Sequence, residues 1–275
     1  MKFNILVIIA LLCTTPNANA WLGVQVPEDE NVLKSFGSAK STIIEKETIN
    51  LFVWNMYKGN KESWKYQFKS QVPYYDFFLL QEMLTTPEVL DIFSNTENLD
   101  FTTATSFLYT KNNQRTGVAT GSKYHPNWKK FLRSKKREPV LLTPKMTLFT
   151  KYSISGSDNE LLVVNIHAIN FVSSTALQSQ LLDASEIIKS HQGPVIFAGD
   201  FNTWTPEKQK FLREITEDSG MTEVTFKNDT RIKMFGFILD FIFVRDLEIL
   251  DSNVHEDLNG SDHNAISAKL KILKQ

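Results

Sequence analysis

Cysteine is almost missing from this sequence. Cys13 stands alone among 275 residues, so no intrachain disulfide and no cysteine-based zinc site can form. Net charge is also missing: 30 Lys+Arg against 31 Asp+Glu leave a formal −1. That balance excludes the blanket cationic surface of a protein that coats nucleic acid, while leaving room for a local basic rim. No repeat, low-complexity tract or linker rich in Pro, Gly or Ser interrupts the stretch from Trp21 to Gln275, which favours one continuous domain. With 42% hydrophobic and 12% aromatic residues, the composition is that of a globular protein, and disorder, collagen and coiled coil are excluded.

The first residues, MKFNILVIIALLCTTPNANA, combine a basic start at Lys2, an apolar run from Ile5 to Leu12 and a small-residue ending, Ala18-Asn19-Ala20. This is the pattern of a secretory signal peptide over residues 1–20. The run is too short to span the ~30 Å of a bilayer core as a helix, so no stable membrane anchor is expected. Leu12 fits poorly with a lipidated Cys13, which leaves cleavage after Ala20. The mature chain, 21–275, is then secreted or periplasmic and free of cysteine. Its chemistry has to come from His, Asp, Glu, Asn and a metal ion rather than from a thiol.

Short apolar, β-branched or aromatic runs recur at Ile49–Trp54, Asp76–Leu80, Phe101–Leu108, Val140–Thr150, Leu161–Ile166, Val195–Ala198, Phe237–Val244 and Ala265–Ile272; their lengths are mostly those of strands. Thr175–Ser190 has an apolar stripe at helical spacing, and Pro206–Thr216 starts with Thr205-Pro206, an N-cap followed by the first helical position. The mixture points to a layered α/β sandwich, with a barrel as the weaker option. The basic run at Trp128–Glu138, WKKFLRSKKRE, reads first as a solvated loop or helix face and second as a rim that meets phosphate.

What ends the strands is more informative. The first run leads to Asn55, the second to Gln81-Glu82, the fifth to His167 and the sixth to Asp200-Phe201-Asn202. Rigid strands ending on one edge would build a polar site on a stiff base. Each residue taken singly is more often a turn former or a satisfied core group. Asp240 is harder to dismiss: it lies between Leu239 and Phe241, where an unpaired carboxylate would be costly, and so requires a partner, for which a His is the natural candidate. Glu82 and Asp262, with the amide oxygen of Asn55, suit a hard cation, Mg²⁺ or Mn²⁺. Asp200 could orient water, and Asn202 with a protonated His263 could meet charge on phosphoryl oxygens. The five His have no short paired spacing, which makes zinc the poorer choice.

Asn55 in VWN, Gln81-Glu82, Gly199-Asp200-Phe201-Asn202, Leu239-Asp240-Phe241-Ile242-Phe243 and Ser261-Asp262-His263 together resemble the endonuclease/exonuclease/phosphatase superfamily. VNIHAINF, GPVIFAGDFNTW and FGFILDFIFVR are most similar to the bacterial YafD-like proteins. The resemblance implies a four-layered α/β/β/α sandwich of the DNase I-like kind. It also implies Glu82 as the main metal ligand with Asn55 and Asp262 near the ion, Asp200 as the group that activates water, Asn202 as transition-state donor and His263 as the catalytic His. His167 resembles a second His, proposed as general acid, and Asn170 occupies a place where relatives contact substrate phosphate. The role of Asp240 as orienter of a His is inferred from its apolar setting. GDFN is followed by Thr203-Trp204-Thr205, and no cysteine precedes Asp240, which disfavours a phosphoinositide phosphatase. The expected activity is that of an exported phosphodiesterase, first a nuclease, acting as a monomer on a phosphodiester substrate. A phospholipid or small phosphoesterase and a non-catalytic binding or toxin-like subunit are the alternatives.

Overall fold

The computed structural model of the protein describes residues 22–273; the segment expected to be a signal peptide, its expected cleavage point and Cys13 lie outside them. Ten strands carry the architecture: β1 (Thr48–Asn55), β2 (Phe77–Leu84), β3 (Asp100–Tyr109), β4 (Arg115–Ser122), β5 (Met146–Ile154), β6 (Glu160–His167), β7 (Val195–Asp200), β8 (Asp240–Arg245), β9 (Leu247–His255) and β10 (Ala265–Ile272). One sheet runs β3-β4-β2-β1-β10-β9, and the other runs β8-β7-β6-β5, each extended at its edges by shorter strands. β1 and β2 are parallel, as are β6 and β7.

Alternation of side chains along the central strands explains the layering. In β1, Leu51 and Val53 meet Leu161, Val163, Ile196 and Ile242 of the opposite sheet. Phe52 and Trp54 point the other way, onto Trp64 and Phe68 of α1 (Ser63–Gln71) and Val89, Ile92 and Phe93 of α2 (Pro87–Asn95). The second sheet does the same: Leu162, Val164, Phe197 and Phe243 pack on α3 (Ser174–Ser190) and α4 (Pro206–Asp218) through Leu177, Leu181, Leu212 and Ile215. Strands covered on both faces read as unbroken apolar runs. The result is the four-layered α/β/β/α sandwich of the DNase I-like kind.

Local chemistry sets the helix starts. Thr86 and Thr205 each accept a hydrogen bond on their side chains from the backbone N–H of Val89 and Lys208, with Pro87 and Pro206 at the next position, an arrangement that satisfies an orphan donor and pre-sets φ.

Three readings change. The run expected from Val140 becomes strand only at Met146, after Pro144, which cannot donate to a ladder. The run Phe237–Val244 divides into a hairpin strand, Phe237–Ile238, and β8. The first half of the basic run is neither loop nor helix: Trp128–Arg133 is a strand paired to β5, and lysines on such an edge discourage pairing with other chains. β4, RTGVATGS, lacks large strand formers because there is no room for them. A Cβ at Gly117 would lie 2.0 Å from the Ala104 carbonyl oxygen of β3.

Under the polar end of the sandwich one amide ties the sheets together. Asn165 of β6 is buried; its Nδ2 donates to the carbonyl oxygens of Ala119 (2.9 Å) and Leu80 (3.3 Å), and its Oδ1 accepts from Gln81 Nε2 at 2.8 Å. Removing that side chain takes buried hydrogen bonds from Gln81 and from the Ala119 and Leu80 carbonyls at once. Asn165→Ala is expected to lower stability by about 3 kcal/mol, measured by urea unfolding.

Candidate active site

The sheet register sets three functional side chains abreast: His167 ends β6 opposite Asp200, the last residue of β7, and Asp200 lies opposite Asp240, the first residue of β8. Asn55 ends β1 in the other sheet, and its Nδ2 donates to Asp200 Oδ2 at 3.0 Å. His167 Nε2 lies 3.5 Å from the same oxygen. Asp200 Oδ1 accepts from the backbone N–H of Asn202 at 3.0 Å, in a turn that places Asn202 at φ 51°. The glycine before Asp200 is required by crowding. Gly199 has φ 141°, and a Cβ there would stand 2.0 Å from the Ile166 carbonyl oxygen.

The buried Asp240 finds its partner in His263, whose Nδ1 lies 2.7 Å from Asp240 Oδ2. The loop bearing His263 is fastened to the end of β1. Ser261 Oγ donates to the Asn55 carbonyl oxygen at 2.5 Å, and Trp54 Nε1 donates to the His263 carbonyl oxygen at 2.9 Å. Arg231, missed in the sequence because it lies in an unpatterned loop, donates from Nη1 to the Asp240 carbonyl oxygen at 2.8 Å.

Glu82 reaches the site by a different device. Between Leu80 and Met83 the pairing of β2 with β4 slips, and Glu82 takes φ 53°. Bulges of this kind re-aim a side chain and are common beside active sites. Glu82 is half-buried, yet its carboxylate has no hydrogen-bond or ion-pair partner among the described residues.

These groups share a cleft of about 490 Å³ whose lining includes Glu82, His167, Asn170, Asp200, Asn202, Asp262 and His263. Asn55 and Asp240 stand behind it, one bonded to Asp200 and the other to His263. Asn170 Oδ1 accepts from Trp204 Nε1 at 2.7 Å and from the Phe171 N–H at 2.8 Å, which leaves its amide nitrogen for a ligand. Asn202 Nδ2 spends one hydrogen on the Ala168 carbonyl oxygen at 2.9 Å and keeps the other. The cations on the cleft are Lys58, Lys145 and Lys233, none of them singled out in the sequence, because each comes from a different segment of the chain and none forms a local pattern. No residue of the basic run from Lys129 to Arg137 lines the cleft. Lys129 is bound to Ser35, Arg133 to Asp29 and Lys135 to Asp183.

Electrostatics divide the titratable groups by task. Burial pushes the Asp200 carboxyl up to about 7, helped by the nearby Asp240 charge and resisted by His263 and by the hydrogen bonds from Asn55 and Asn202. Burial opposes charge on His263, but the charge and hydrogen bond of Asp240, with Asp200 and Asp262 nearby, prevail and raise it to about 10. His167 is held well below its ordinary value by burial, and by Lys145, His263 and Lys58. At neutral pH the site therefore holds a charged His263, a neutral His167 and an Asp200 poised to exchange a proton. The ligand atoms of Asp200, Asp240 and His263 lie within 4.8 Å of one another, a group that could hold a divalent cation.

Residues 52–263 match the model of the Endonuclease/Exonuclease/phosphatase family. The chain belongs to this family. Among its relatives, a UPF0294 protein of Yersinia pseudotuberculosis is 37% identical over 80% of this chain and 82% of its own length, and one of Photorhabdus laumondii is 35% identical over 79% and 82%. An endonuclease/exonuclease/phosphatase from Bacteroides vulgatus has the same fold, with a TM-score of 0.63 at 17% identity over 82% of this chain and all of its own. The family fold and the Asp/Asp/His group support a hydrolase.

Proposed function

We propose that the protein is an exported phosphodiesterase, dependent on Mg²⁺ or Mn²⁺, that hydrolyses nucleic acid with a water activated by Asp200. The observation that carries this reading is the state of Asp200: it lies beside Asn55, His167 and Asn202, with its carboxyl raised to about 7, facing the charged His263–Asp240 pair. A base whose pKa lies near working pH combines availability with the ability to take a proton. Within the family, the likeness of the stretches VNIHAINF, GPVIFAGDFNTW and FGFILDFIFVR supports kinship with the YafD-like proteins, and residues 1–20 support secretion or release to the periplasm. The mature protein, 21–275, works as a monomer.

The donor set fits a hard cation. Glu82, half-buried and unpartnered among the described residues, shares the cleft with Asp262, and carboxylate oxygens are the ligands Mg²⁺ and Mn²⁺ take. These two would hold the ion, with Asn55 near. We prefer them to Asp200, Asp240 and His263, because a protonated imidazole bonded to Asp240 has no lone pair to give. When bound, the ion supplies positive charge to the phosphoryl oxygens.

The residues of the chain do the remainder. Asn170 and Asn202 use their free amide hydrogens to hold phosphate oxygens. Asp200 takes the proton of the water as its oxygen attacks phosphorus, and the imidazolium of His263, held in place by Asp240, meets the charge that develops. The ester P–O bond breaks, and the leaving oxygen needs a proton. His167 is the candidate donor: neutral in the free protein, it takes up a proton from solvent as the anionic phosphodiester binds and passes that proton to the leaving oxygen. The products are a phosphomonoester and an alcohol.

Nucleic acid is favoured by Lys58, Lys145 and Lys233 around an open cleft. A lipid phosphoester is the second reading, supported by the exposure of Phe171 and Phe235 near it. A panel of plasmid DNA, single-stranded DNA, RNA, sphingomyelin and a generic bis-ester, run with Mg²⁺, Mn²⁺ and EDTA, tests both. Cleavage of nucleic acid in metal alone is expected; lipid cleavage alone would select the second reading, and no cleavage in any metal would leave a binding or toxin-like subunit.

A further inference from the structure

Three aromatic rings flank the cleft and take no part in the steps above. Phe171 follows Asn170, Trp204 stands two residues beyond Asn202, and Phe235 occupies the turn of the hairpin made by Lys233–Met234 and Phe237–Ile238. They form a row, with centroids 6.4 Å apart from Phe171 to Trp204 and 5.9 Å from Trp204 to Phe235. Phe171 is 61% exposed and Phe235 76%.

Their backbone sharpens the point. Phe171 has φ 54° and Phe235 φ 52°, the left-handed region that a bulky side chain enters at an energetic cost. Phe235 and Gly236 form a two-residue hairpin turn with both φ positive, where Asn-Gly or Gly-Gly would be relaxed. An exposed phenylalanine there is unfavourable both as backbone and as surface, and strain of this sort gathers at ligand sites. The ring between them is fixed. Trp204 Nε1 is tied to Asn170 Oδ1, and the buried Lys208 ammonium, which has no hydrogen-bond partner among the described residues, lies 4.1 Å from the indole centroid.

We propose that Phe171, Trp204 and Phe235 are a stacking platform for unpaired nucleobases beside the scissile phosphate, so that the enzyme selects single-stranded or frayed nucleic acid. The inference rests on the phosphodiesterase reading of the same cleft. Trp204 is bonded to Asn170, the amide assigned above to the phosphate, so the platform borders the proposed phosphate position. In a duplex both faces of a base are already covered by its neighbours; an unpaired base offers its π face, and aromatic residues bind it with little regard to sequence. A membrane would need several apolar side chains at one outermost level. Here the indole is half-buried and tied down, and the hairpin turn offers one ring, with the exposed Lys233 two residues before it.

Binding in EDTA tests the platform without requiring cleavage. Fluorescence anisotropy compares a labelled oligothymidylate of about ten nucleotides, its duplex, and a strand of equal length whose sugars carry no base. The protein is expected to bind the base-bearing single strand at least about tenfold more tightly than the baseless one, and more tightly than the duplex. Phe235→Ala and Phe171→Ala each reduce that preference, the double variant removes it, and Phe235→Trp keeps it; melting curves confirm that these exposed positions leave folding intact. Equal affinity for both strands, or a preference that survives in the double variant, overturns the proposal. So does uptake by phosphatidylcholine–phosphatidylserine vesicles that Phe235→Ala abolishes, without any base preference, since it gives the rings to a membrane. Base preference without cleavage in Mg²⁺ or Mn²⁺ upholds the platform and fails the phosphodiesterase reading alone.

Discussion

Asp200→Asn is expected to lower kcat on an oligonucleotide about a thousandfold while making the protein more stable at neutral and alkaline pH. The substitution keeps the size of the side chain and one oxygen to accept hydrogen bonds, but it cannot take a proton from water. The stability gain follows from the sign of the pKa shift. Burial raises the carboxyl from 3.8 to about 7 in the folded protein, so folding favours its protonated form. The associated stability is fully present below pH 3.8 and is lost as pH rises through about 7. Asparagine, always neutral, escapes that loss. Unfolding in urea over a pH series should find the variant roughly 1–3 kcal/mol more stable above pH 7, with the gap closing toward pH 4, while the activity of the parent rises with pH through about 7. A variant as active as the parent would remove Asp200 from the chemistry.

The second large effect belongs to the pair on the other side of the cleft. Asp240→Asn leaves His263 in its half-enclosed place without the charge that holds its proton. In metal-free protein, NMR titration should find the His263 imidazole charged in the parent until pH approaches about 10, and charged over a lower range in the variant. A histidine raised on folding contributes stability that is fully present below 6.5 and is lost as pH rises through about 10. The parent should therefore exceed the variant by on the order of 3 kcal/mol near pH 6, and the two should converge toward pH 10. Activity falls about a hundredfold if the imidazolium meets transition-state charge. An unchanged His263 titration would break the link between the two residues.

Much of this site was legible because strands deliver it. Asn55, His167 and Asp200 are the last residues of rigid apolar strands, a relation visible along the chain. Asp240 advertised its pairing through its apolar neighbours, since a lone buried carboxylate would be too costly. Other features were hidden for equally physical reasons. The bulge that aims Glu82 arises from pairing between β2 and β4, and β4 is built of small residues that carry no strand signal. Asn165 looks like one polar residue inside VVNIH, and only the facing sheet reveals the groups it satisfies. The basic run from Lys129 to Arg137 was the loudest charge signal in the sequence, yet none of it lines the cleft, and Lys129, Arg133 and Lys135 are bound to Ser35, Asp29 and Asp183, while the cleft draws its lysines singly from three separate segments. Local charge density reports on solvation; a phosphate site depends on convergence, which a linear pattern does not display.

Metal dependence bears most directly on the central claim that carboxylates in this cleft serve a cation-dependent phosphodiesterase. The measurement is the rate of oligonucleotide cleavage against Mn²⁺ concentration, from EDTA upward, for the parent and for Glu82→Gln. No cleavage is expected in EDTA, with a saturating rise for the parent and, for the variant, a curve displaced at least about tenfold toward higher Mn²⁺. Cleavage undiminished in EDTA, or superimposable curves for the two proteins, would contradict it.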